Sequence, residues 1–254
     1  MDIPGIEAVR TDVEALLPLR EEYRREMSCQ IVHDSFHARG FTDSYLLRLD
    51  GRTVGYGSVA GNPRGPRQTV KEFYVVPGFR QDALKLFRAM LAVATPRWIE
   101  AQTNDRLLTL LLFDCGTDVS SETILFADAE TTHHAPSGNV GLRRLADEDR
   151  AILFPHSLEA IGDWVLAADR EIVATGGLMF HYNPPYGDIY MEVAAAHRRR
   201  GHGRYLVQEL KRICYEQDRV PAARCPVQNV ASRRTLERAG MLPCARILRA
   251  RLTT

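Results

Sequence analysis

The stretch YMEVAAAHRRRGHGRYLVQELKRIC, residues 190–214, carries the clearest fold signal of the chain. It begins within an alternation of apolar and polar residues that places Ile189, Met191 and Val193 on one face of a strand. From about residue 203 the apolar positions recur at helical spacing; they are Leu206, Val207, Leu210, Ile213 and Cys214. The stretch therefore predicts a strand, a basic turn and then an amphipathic helix.

The turn, HRRRGHGR at residues 197–204, has the composition of an anion site. The first amides of a helix lack intrahelical partners and lie at the positive end of its dipole, so they favour a phosphate. Gly201 and Gly203 allow the backbone to approach a diphosphate without Cβ atoms in the way. The arginines can add charge-assisted hydrogen bonds; they are Arg198, Arg199, Arg200 and Arg204. The alternative that stays open is a solvated basic turn without a ligand.

Composition limits the partners of the protein. Its 254 residues contain 33 Lys and Arg against 32 Asp and Glu, so no overall field attracts nucleic acid or an anionic membrane. The five cysteines show no zinc-site spacing, so we expect no metal. No apolar run approaches the ~18 residues of a membrane span. The expectation is a cytoplasmic globular protein with neither nucleic-acid nor membrane partners.

The chain contains an internal repeat. Residues 45–60 and 164–180 both predict hairpins, which turn at Asp50-Gly51 and near Asp169. Each hairpin is followed by a strand, a helix, a strand and a shorter helix. This order, found twice, predicts an α/β (α+β) protein with two related domains in tandem. Each domain is expected to be a mixed, mostly antiparallel twisted sheet flanked by helices.

A polar connector separates the two halves. Residues 127–139 lose the apolar periodicity and gather Thr, His, Pro, Ser and Gly. The predicted organisation is a first domain at 1–130, a linker at 131–139 and a second domain at 140–254.

The basic turn also resembles a known signature. In the GNAT superfamily of N-acetyltransferases, the pattern R/Q-x-x-G-x-G/A follows the fourth strand and holds acyl-coenzyme A; here Arg198, Gly201 and Gly203 match it. A second family element is similar to NVASRRTLERAGM, in which Asn229 follows the next strand and Ser232 comes three residues later. Both elements occur in the family's order and after the expected strands.

The resemblance implies a function and a set of site residues. It implies transfer of an acetyl group from acetyl-CoA, as co-substrate and without a metal, to a primary amine of a small molecule or peptide. It is also compatible with a homodimer. The coenzyme-binding residues that it implies are Met191, Val193, Arg198, Arg199, Arg200, Gly201, His202, Gly203, Arg204, Asn229 and Ser232.

The first half contains an incomplete match to the signature. In VVPGFRQDALK, Val75 aligns with Val193 and Arg80 with Arg198, but Ala83 and Lys85 hold the two glycine positions. Side chains there would fill the space that a diphosphate needs. We therefore expect a GNAT-like first domain that does not bind the coenzyme.

Glu192 is the candidate general base, because it adjoins Val193 at the end of the predicted strand. Partial burial is expected to raise its pKa toward the useful range, although a structural ion pair with an arginine is an equal alternative. Asp188 and Tyr190 are weaker candidates.

The group that protonates the leaving thiolate is less clear from the sequence. Many family members carry a Tyr seven residues after the Asn of the second element, where this chain has Leu236. Ser232, Tyr205 and Cys225 are the remaining candidates.

Other function classes fit less well. A dinucleotide-binding oxidoreductase would need the third glycine of G-x-G-x-x-G, which is missing here. A nucleic-acid-binding module would need a wider basic face. The alternative that stays open is a catalytically idle GNAT fold that binds acyl-CoA as a sensor or scaffold. His181, Tyr182, Pro184, Pro185 and Tyr186 lie in the loop before the fourth strand, where they could flank the acceptor or equally serve as packing residues.

Overall fold

The computed structural model describes residues 5–26, 33–61, 65–136, 138–168, 171–180 and 184–253. The chain forms two compact units: Met1–Glu122 with Ala245–Thr254, and Thr123–Cys244. Asp169, at the second predicted hairpin turn, and His181 and Tyr182 of the expected acceptor loop lie outside the described residues. Among the helices of the described ranges, none is both long and apolar enough to cross a membrane.

Twelve strands and six helices build the two units within the described residues. The strands are β1 (Ile6–Thr11), β2 (Thr42–Leu49), β3 (Arg52–Gly61), β4 (Arg67–Val75), β5 (Trp98–Gln102), β6 (Gly116–Asp128), β7 (Val140–Arg144), β8 (Trp164–Ala168), β9 (Glu171–Met179), β10 (Tyr186–Val193), β11 (Val220–Pro226) and β12 (Met241–Leu252). The helices are α1 (Leu17–Glu26), α2 (Asp34–Ala38), α3 (Ala83–Ala94), α4 (Arg106–Cys115), α5 (His202–Glu216) and α6 (Val230–Arg238).

The first unit holds strands in the order β1-β2-β3-β4-β5-β12. All neighbours are antiparallel except β4 and β5, which are parallel. The predicted hairpin turn is present, since Asp50 (φ 48°) and Gly51 (φ 77°) both have the left-handed backbone of a type I′ turn. Helices α3 and α4 pack Leu86, Phe87, Leu108 and Leu112 into the core of this unit.

The second unit repeats this arrangement, with strands in the order β6-β11-β10-β9-β8-β7 and a single parallel pair, β10 and β11. The predicted helix is α5, and all five of its predicted apolar positions are buried. Ile189 lies in the same core, and Met191 and Val193 pack against it. Asp188, Tyr190 and Glu192 alternate with these residues and therefore face the opposite side of the sheet.

The predicted boundaries 1–130 and 140–254 differ from the observed units at two places. The end of β6 belongs to the second unit, where Ala127 pairs with Ala222. From Ala245 onward, the C-terminal strand β12 belongs to the first unit, where Ile247 pairs with Gln102. Strand partners are chosen by contacts distant in sequence, whereas a polar connector shows only where periodicity stops. The composition of the linker could not reveal this exchange.

A buried lysine fixes the chain that follows β6 to the second unit. Lys211 is 2% exposed, and its Nζ lies 2.7 Å from Oδ1 of Asp128. It donates to the carbonyl oxygens of Glu130 at 2.5 Å and Ala239 at 3.0 Å. Tyr215 Oη donates to Oδ2 of Asp128 at 2.5 Å. The ammonium is therefore fully paired, as a buried charge requires.

The parallel pair in each unit separates before its strands end. In the second unit β10 and β11 pair from Tyr186 with Val220 to Ile189 with Ala223, although β10 continues to Val193. In the first unit β4 and β5 pair only at Thr69–Trp98 and Val70–Ile99. This separation exposes one backbone edge of β10 next to the start of α5.

Candidate active site

The start of α5 presents a row of backbone donors. Gly201 is the N-cap residue and has a φ of 88°, a left-handed conformation that favours glycine. The first intrahelical bond runs from the amide of Tyr205 to the carbonyl of Gly201, at 3.2 Å. The amides of His202, Gly203 and Arg204 precede it and lack intrahelical partners. Their arrangement matches an anion site at a helix N-terminus.

Gly203 lies where space for a side chain is limited. A Cβ there would lie 3.1 Å from Cγ2 of Thr235, 3.4 Å from Cε of Met191 and 3.5 Å from Cγ2 of Val193. Thr235 belongs to α6, while Met191 and Val193 belong to β10. Any longer side chain would have to enter the space where α5, α6 and β10 converge. The start of α5 therefore lies close to side chains of both β10 and α6.

Asn229 is the N-cap of α6. Its side-chain Oδ1 accepts from the amide of Ser232 at 3.0 Å. Since the oxygen serves as the capping acceptor, the amide nitrogen is left with its two donors. Ser232 also hydrogen-bonds Cys225 on β11; burial raises the pKa of that thiol, and the bond from Ser232 opposes the rise.

The basic residues of the turn have different surroundings. Arg198 donates from Nε to the carbonyl of Val193 at 3.2 Å, and its Nη2 lies 3.9 Å from Oε1 of Glu192. Arg199 and Arg200 are exposed, while Arg204 is partly buried. His202 is buried, and its pKa is lowered by burial and by nearby positive charge on His197 and Arg200. Its Nδ1 has no hydrogen-bond partner among the described residues.

In the first unit, the corresponding strand end and helix start carry different side-chain contacts. Arg80 donates to Val75 at 3.0 Å, as Arg198 does to Val193. Lys71 Nζ donates to Oε1 of Glu100 at 2.5 Å, between β4 and β5. Asp105 caps α4 by accepting from the amide of Leu108 at 3.0 Å, and it stands where the second unit has Asn229.

Asp105 was not singled out from the sequence. Its Oδ2 accepts from Tyr23 Oη at 2.9 Å, and burial raises its pKa to about 6. The sequence contains a signal for it. Asp105 precedes the helix-ending Gly116 by the same number of residues as Asn229 precedes Gly240, so the two residues hold equivalent capping positions. A carboxylate at this position offers no amide donor to a ligand.

On the opposite face of β4, side chains of the first unit bind the carboxylate of Glu72. Glu72 is 1% exposed and accepts from Arg20 of α1, through Nε at 3.2 Å and Nη2 at 3.0 Å. His37 Nε2 and Tyr56 Oη lie 3.1 and 3.2 Å from the same carboxylate. Burial would raise the pKa of Glu72, but Arg20 and His37 hold it well below its ordinary value.

Glu192 has surroundings unlike those expected of a base. It is 4% exposed, and its carboxylate accepts from the amides of Leu158 and Glu159, each at 3.1 Å. It also accepts from the amide of Ser157 at 3.3 Å and from Ser157 Oγ at 3.2 Å. Burial raises its pKa, but these donors outweigh burial, and the net pKa is lowered. The expected rise in the pKa of Glu192 was therefore wrong.

Residues 154–162, hereafter the 154–162 loop, lie on the face of β9 and β10 opposite α5. His156 Nδ1 is 3.0 Å from the carbonyl of Phe154, which can only accept, so this nitrogen carries the proton. In the neutral ring, Nε2 then accepts from Thr175 Oγ1 at 2.7 Å. Gly162 has no room for a side chain, because a Cβ would lie 2.0 Å from the carbonyl oxygen of Gly176.

Asp188 is the carboxylate on this face that titrates near neutrality. It is 5% exposed, and its Oδ2 lies 3.4 Å from Nε of Arg224 on β11. Burial raises its pKa to about 7; Arg224 opposes the rise and Glu159 adds to it. Asp188 lies in the last paired part of β10, directly before the separation from β11.

Leu236, at the position of the family's Tyr, is 4% exposed and part of the hydrophobic core of the second unit. It offers no proton. Within the described residues, no group of three or more His, Cys, Asp or Glu side chains is arranged to hold a metal ion.

Comparison with known proteins agrees with this geometry. Residues 129–241 match the Acetyltransferase (GNAT) family, and no curated protein matches the sequence. The fold of the whole chain is similar to that of an acetyltransferase from the GNAT family of Colwellia psychrerythraea (TM-score 0.76, 13% identity, 98% of this chain and 99% of the other). A tandem GNAT protein from the clavulanic acid biosynthesis pathway gives a TM-score of 0.64, with 13% identity over 98% of this chain and 99% of the other.

A third structure, a GCN5-related N-acetyltransferase from Sphaerobacter thermophilus, gives a TM-score of 0.58, with 14% identity over 100% of this chain and 98% of the other. Residues 129–241 are thus a domain of the GNAT acetyltransferase family, and the chain as a whole has the fold of GNAT proteins that include a tandem one.

Proposed function

We propose that the second unit transfers an acetyl group from acetyl-CoA to a primary amine. The observation that carries the proposal is the convergence of α5, α6 and β10 at Gly203, where a Cβ would meet three neighbouring side chains. The amides of His202, Gly203 and Arg204 would bind the diphosphate. Arg199 and Arg200 are exposed beside them and can add charge. The exposed edge of β10, ending at Val193, would bind the pantetheine arm.

Arg198 has a different proposed role from the other arginines. Its Nε bond to the Val193 carbonyl fixes the strand end against the turn. Half of its side chain remains exposed, so Nη1 and Nη2 can still reach a phosphate. Asn229 and Ser232 would contribute from the start of α6.

We assign the general base to Asp188 rather than Glu192. The ammonium form of the acceptor must lose a proton before its nitrogen can attack, and a base with a pKa near the working pH accepts this proton best. Asp188, with a pKa of about 7, fits this need. Glu192 has a lowered pKa, and its acceptor positions are already used. In the reaction, the amine nitrogen bonds to the acetyl carbon, the C–S bond breaks and the thiolate takes up a proton.

Of the three candidates for the group that protonates the thiolate, Ser232, Tyr205 and Cys225, we favour Cys225. Cys225 and Ser232 hydrogen-bond each other at the start of α6, and burial raises the pKa of the Cys225 thiol. A thiol that remains protonated at neutral pH can serve as a donor. Leu236 excludes the family's Tyr from this role.

The first unit, in this proposal, binds no coenzyme. Lys71 and Glu100 are joined between β4 and β5, and Asp105 replaces the amide of Asn229. On the opposite face of β4, the Arg20 guanidinium donates to the Glu72 carboxylate. We also retain as proposals a small-molecule or peptide acceptor, a homodimer and a cytoplasmic location. The last agrees with the free thiols of Cys115, Cys214, Cys225 and Cys244.

A second candidate function is an idle sensor or scaffold that binds acyl-CoA, which the buried Leu236 favours. Calorimetry with acetyl-CoA, followed by a screen of small amines and peptides for thiol release, separates the two. Binding with release supports the transferase. Binding without release from any acceptor supports the sensor, and failure to bind acetyl-CoA contradicts both.

A further inference from the structure

Glu192 connects two parts of the second unit that are distant in sequence. It lies on β10, whereas its donors come from residues 157–159, more than thirty positions earlier. Three successive backbone amides and one hydroxyl point at one buried carboxylate. Backbone amides can converge in this way only if the loop has a defined conformation, since each bond restricts the loop further.

The rest of the 154–162 loop supports the same conclusion. A further side-chain bond from the loop to the sheet runs between His156 and Thr175, and Thr175 is paired with Glu192 across the strands. Glu192 and Thr175 therefore form adjacent attachment points. The loop has no regular secondary structure of its own to hold it in place.

Arg198 does not explain the presence of Glu192. Its Nη2 lies 3.9 Å from Oε1 of Glu192, and half of the arginine side chain is exposed, so solvent screens the attraction. The amides of residues 157–159 are closer and more numerous. The hydrogen bonds of the Glu192 carboxylate therefore go to the loop, and the ion pair with Arg198 adds little.

We infer that Glu192 is a positioning residue that fastens the 154–162 loop over the acceptor face of β10. In this arrangement the loop forms the wall against which an acceptor binds next to Asp188. Glu159 is on this loop, and its charge acts on the pKa of Asp188, so the two lie near each other. Loss of Glu192 then loosens acceptor binding while the base and the coenzyme site stay intact.

The test uses the full-length protein with Glu192→Gln, and Ser157→Ala as a milder variant that removes only the hydroxyl donor. Hydrogen exchange measured by mass spectrometry follows the loop directly. We expect exchange in residues 154–162 to rise by about tenfold in Glu192→Gln and about threefold in Ser157→Ala, in line with the strength of charged hydrogen bonds. Exchange in α5 and α6 should not change.

Kinetics give a second readout, which rests on the proposed transferase function. With an amine found by the screen, Glu192→Gln should raise the KM for the amine by about tenfold and leave kcat within about threefold. The Kd for acetyl-CoA should stay unchanged. Glu192→Asp, which keeps the charge on a shorter side chain, should recover part of the loop protection.

Two outcomes would overturn the inference. Unchanged exchange in the loop of Glu192→Gln would show that the carboxylate does not hold it. A large fall in kcat at constant KM would make Glu192 the base instead. If no amine is ever acetylated, the proposed function fails, but the exchange result still decides whether Glu192 fastens the loop.

Discussion

Arg198 donates a hydrogen bond from Nε to the carbonyl oxygen of Val193, at 3.2 Å. The first unit contains the same pair, Arg80 and Val75, at 3.0 Å. The arginine of the signature thus fixes the strand end in both units, whether or not a coenzyme cradle follows. What differs is the next turn, where Gly201 and Gly203 correspond to Ala83 and Lys85. The glycines, rather than this arginine, distinguish the two units.

The first prediction concerns Gly203. We expect Gly203→Glu to weaken acetyl-CoA binding by about a hundredfold or more, because the side chain must enter the cradle and its charge repels phosphate. Calorimetry measures the effect. Gly141→Glu is the matched control, since a Cβ at Gly141 has no neighbour within 4 Å. Equal affinity of the two variants would argue against the site.

The second prediction concerns stoichiometry. We expect one acetyl-CoA per chain, because in the first unit an ion pair joins Lys71 to Glu100 across β4 and β5, and Asp105 stands at the position of Asn229. Restoring both glycines, with Ala83→Gly and Lys85→Gly, should leave the ratio at one. A second binding event in calorimetry of that double variant would show that the missing glycines alone had closed the first site.

The third prediction concerns the pH dependence of turnover. If Asp188 is the base, kcat/KM should rise with pH and level off above an apparent pKa of about 7. Asp188→Asn should lower turnover by about a hundredfold or more, while acetyl-CoA still binds. A rate profile that is unchanged in Asp188→Asn would assign the base elsewhere.

The fourth prediction concerns stability and has a definite sign. The pKa of Asp188 is raised to about 7 in the folded protein, from an ordinary 3.8. Between these values the folded state holds a proton that the unfolded state has lost, so this group lowers stability as pH rises from about 4 to about 7. Asp188→Asn removes that loss. Its free energy of unfolding should exceed that of the wild type by up to about 4 kcal/mol at pH 8.

Urea unfolding at pH 5, 6, 7 and 8 measures this difference. The gain from Asp188→Asn should grow up to pH 7 and then stay constant, with a small offset from the loss of the partly exposed Arg224 partner. A gain independent of pH would mean that Asp188 titrates normally.

The fifth prediction concerns Lys211. Lys211→Met keeps the volume of the side chain but leaves Asp128 and two carbonyl oxygens without their cation. We expect a loss of about 3 kcal/mol in the free energy of unfolding, as for other broken buried pairs. Lys85→Met, which removes only an exposed ion pair with Asp82, is the control and should cost less than about 1 kcal/mol.

The sequence predicted the elements and the repeat because these depend on local periodicity. The alternation at residues 188–193 and the helical spacing from Leu206 to Cys214 both appear in the structure as predicted. Gly201 and Gly203 could also be recognised from the sequence, because a left-handed backbone or a close approach favours glycine at such positions. The resemblance to a family then followed from two short elements in the right order.

Tertiary structure alone decided the strand exchange and the roles of the acidic residues. No local pattern tells β12 to pair with β5 instead of staying with the second unit. Glu192 and Asp188 are similar carboxylates on one strand face, yet their pKa values move in opposite directions. The cause is that donors from residues 157–159 reach Glu192. Asp188 is buried, and the effect of burial on its pKa outweighs that of Arg224, whose Nε lies 3.4 Å away. A side chain's chemistry depends on neighbours that the chain brings together only when folded.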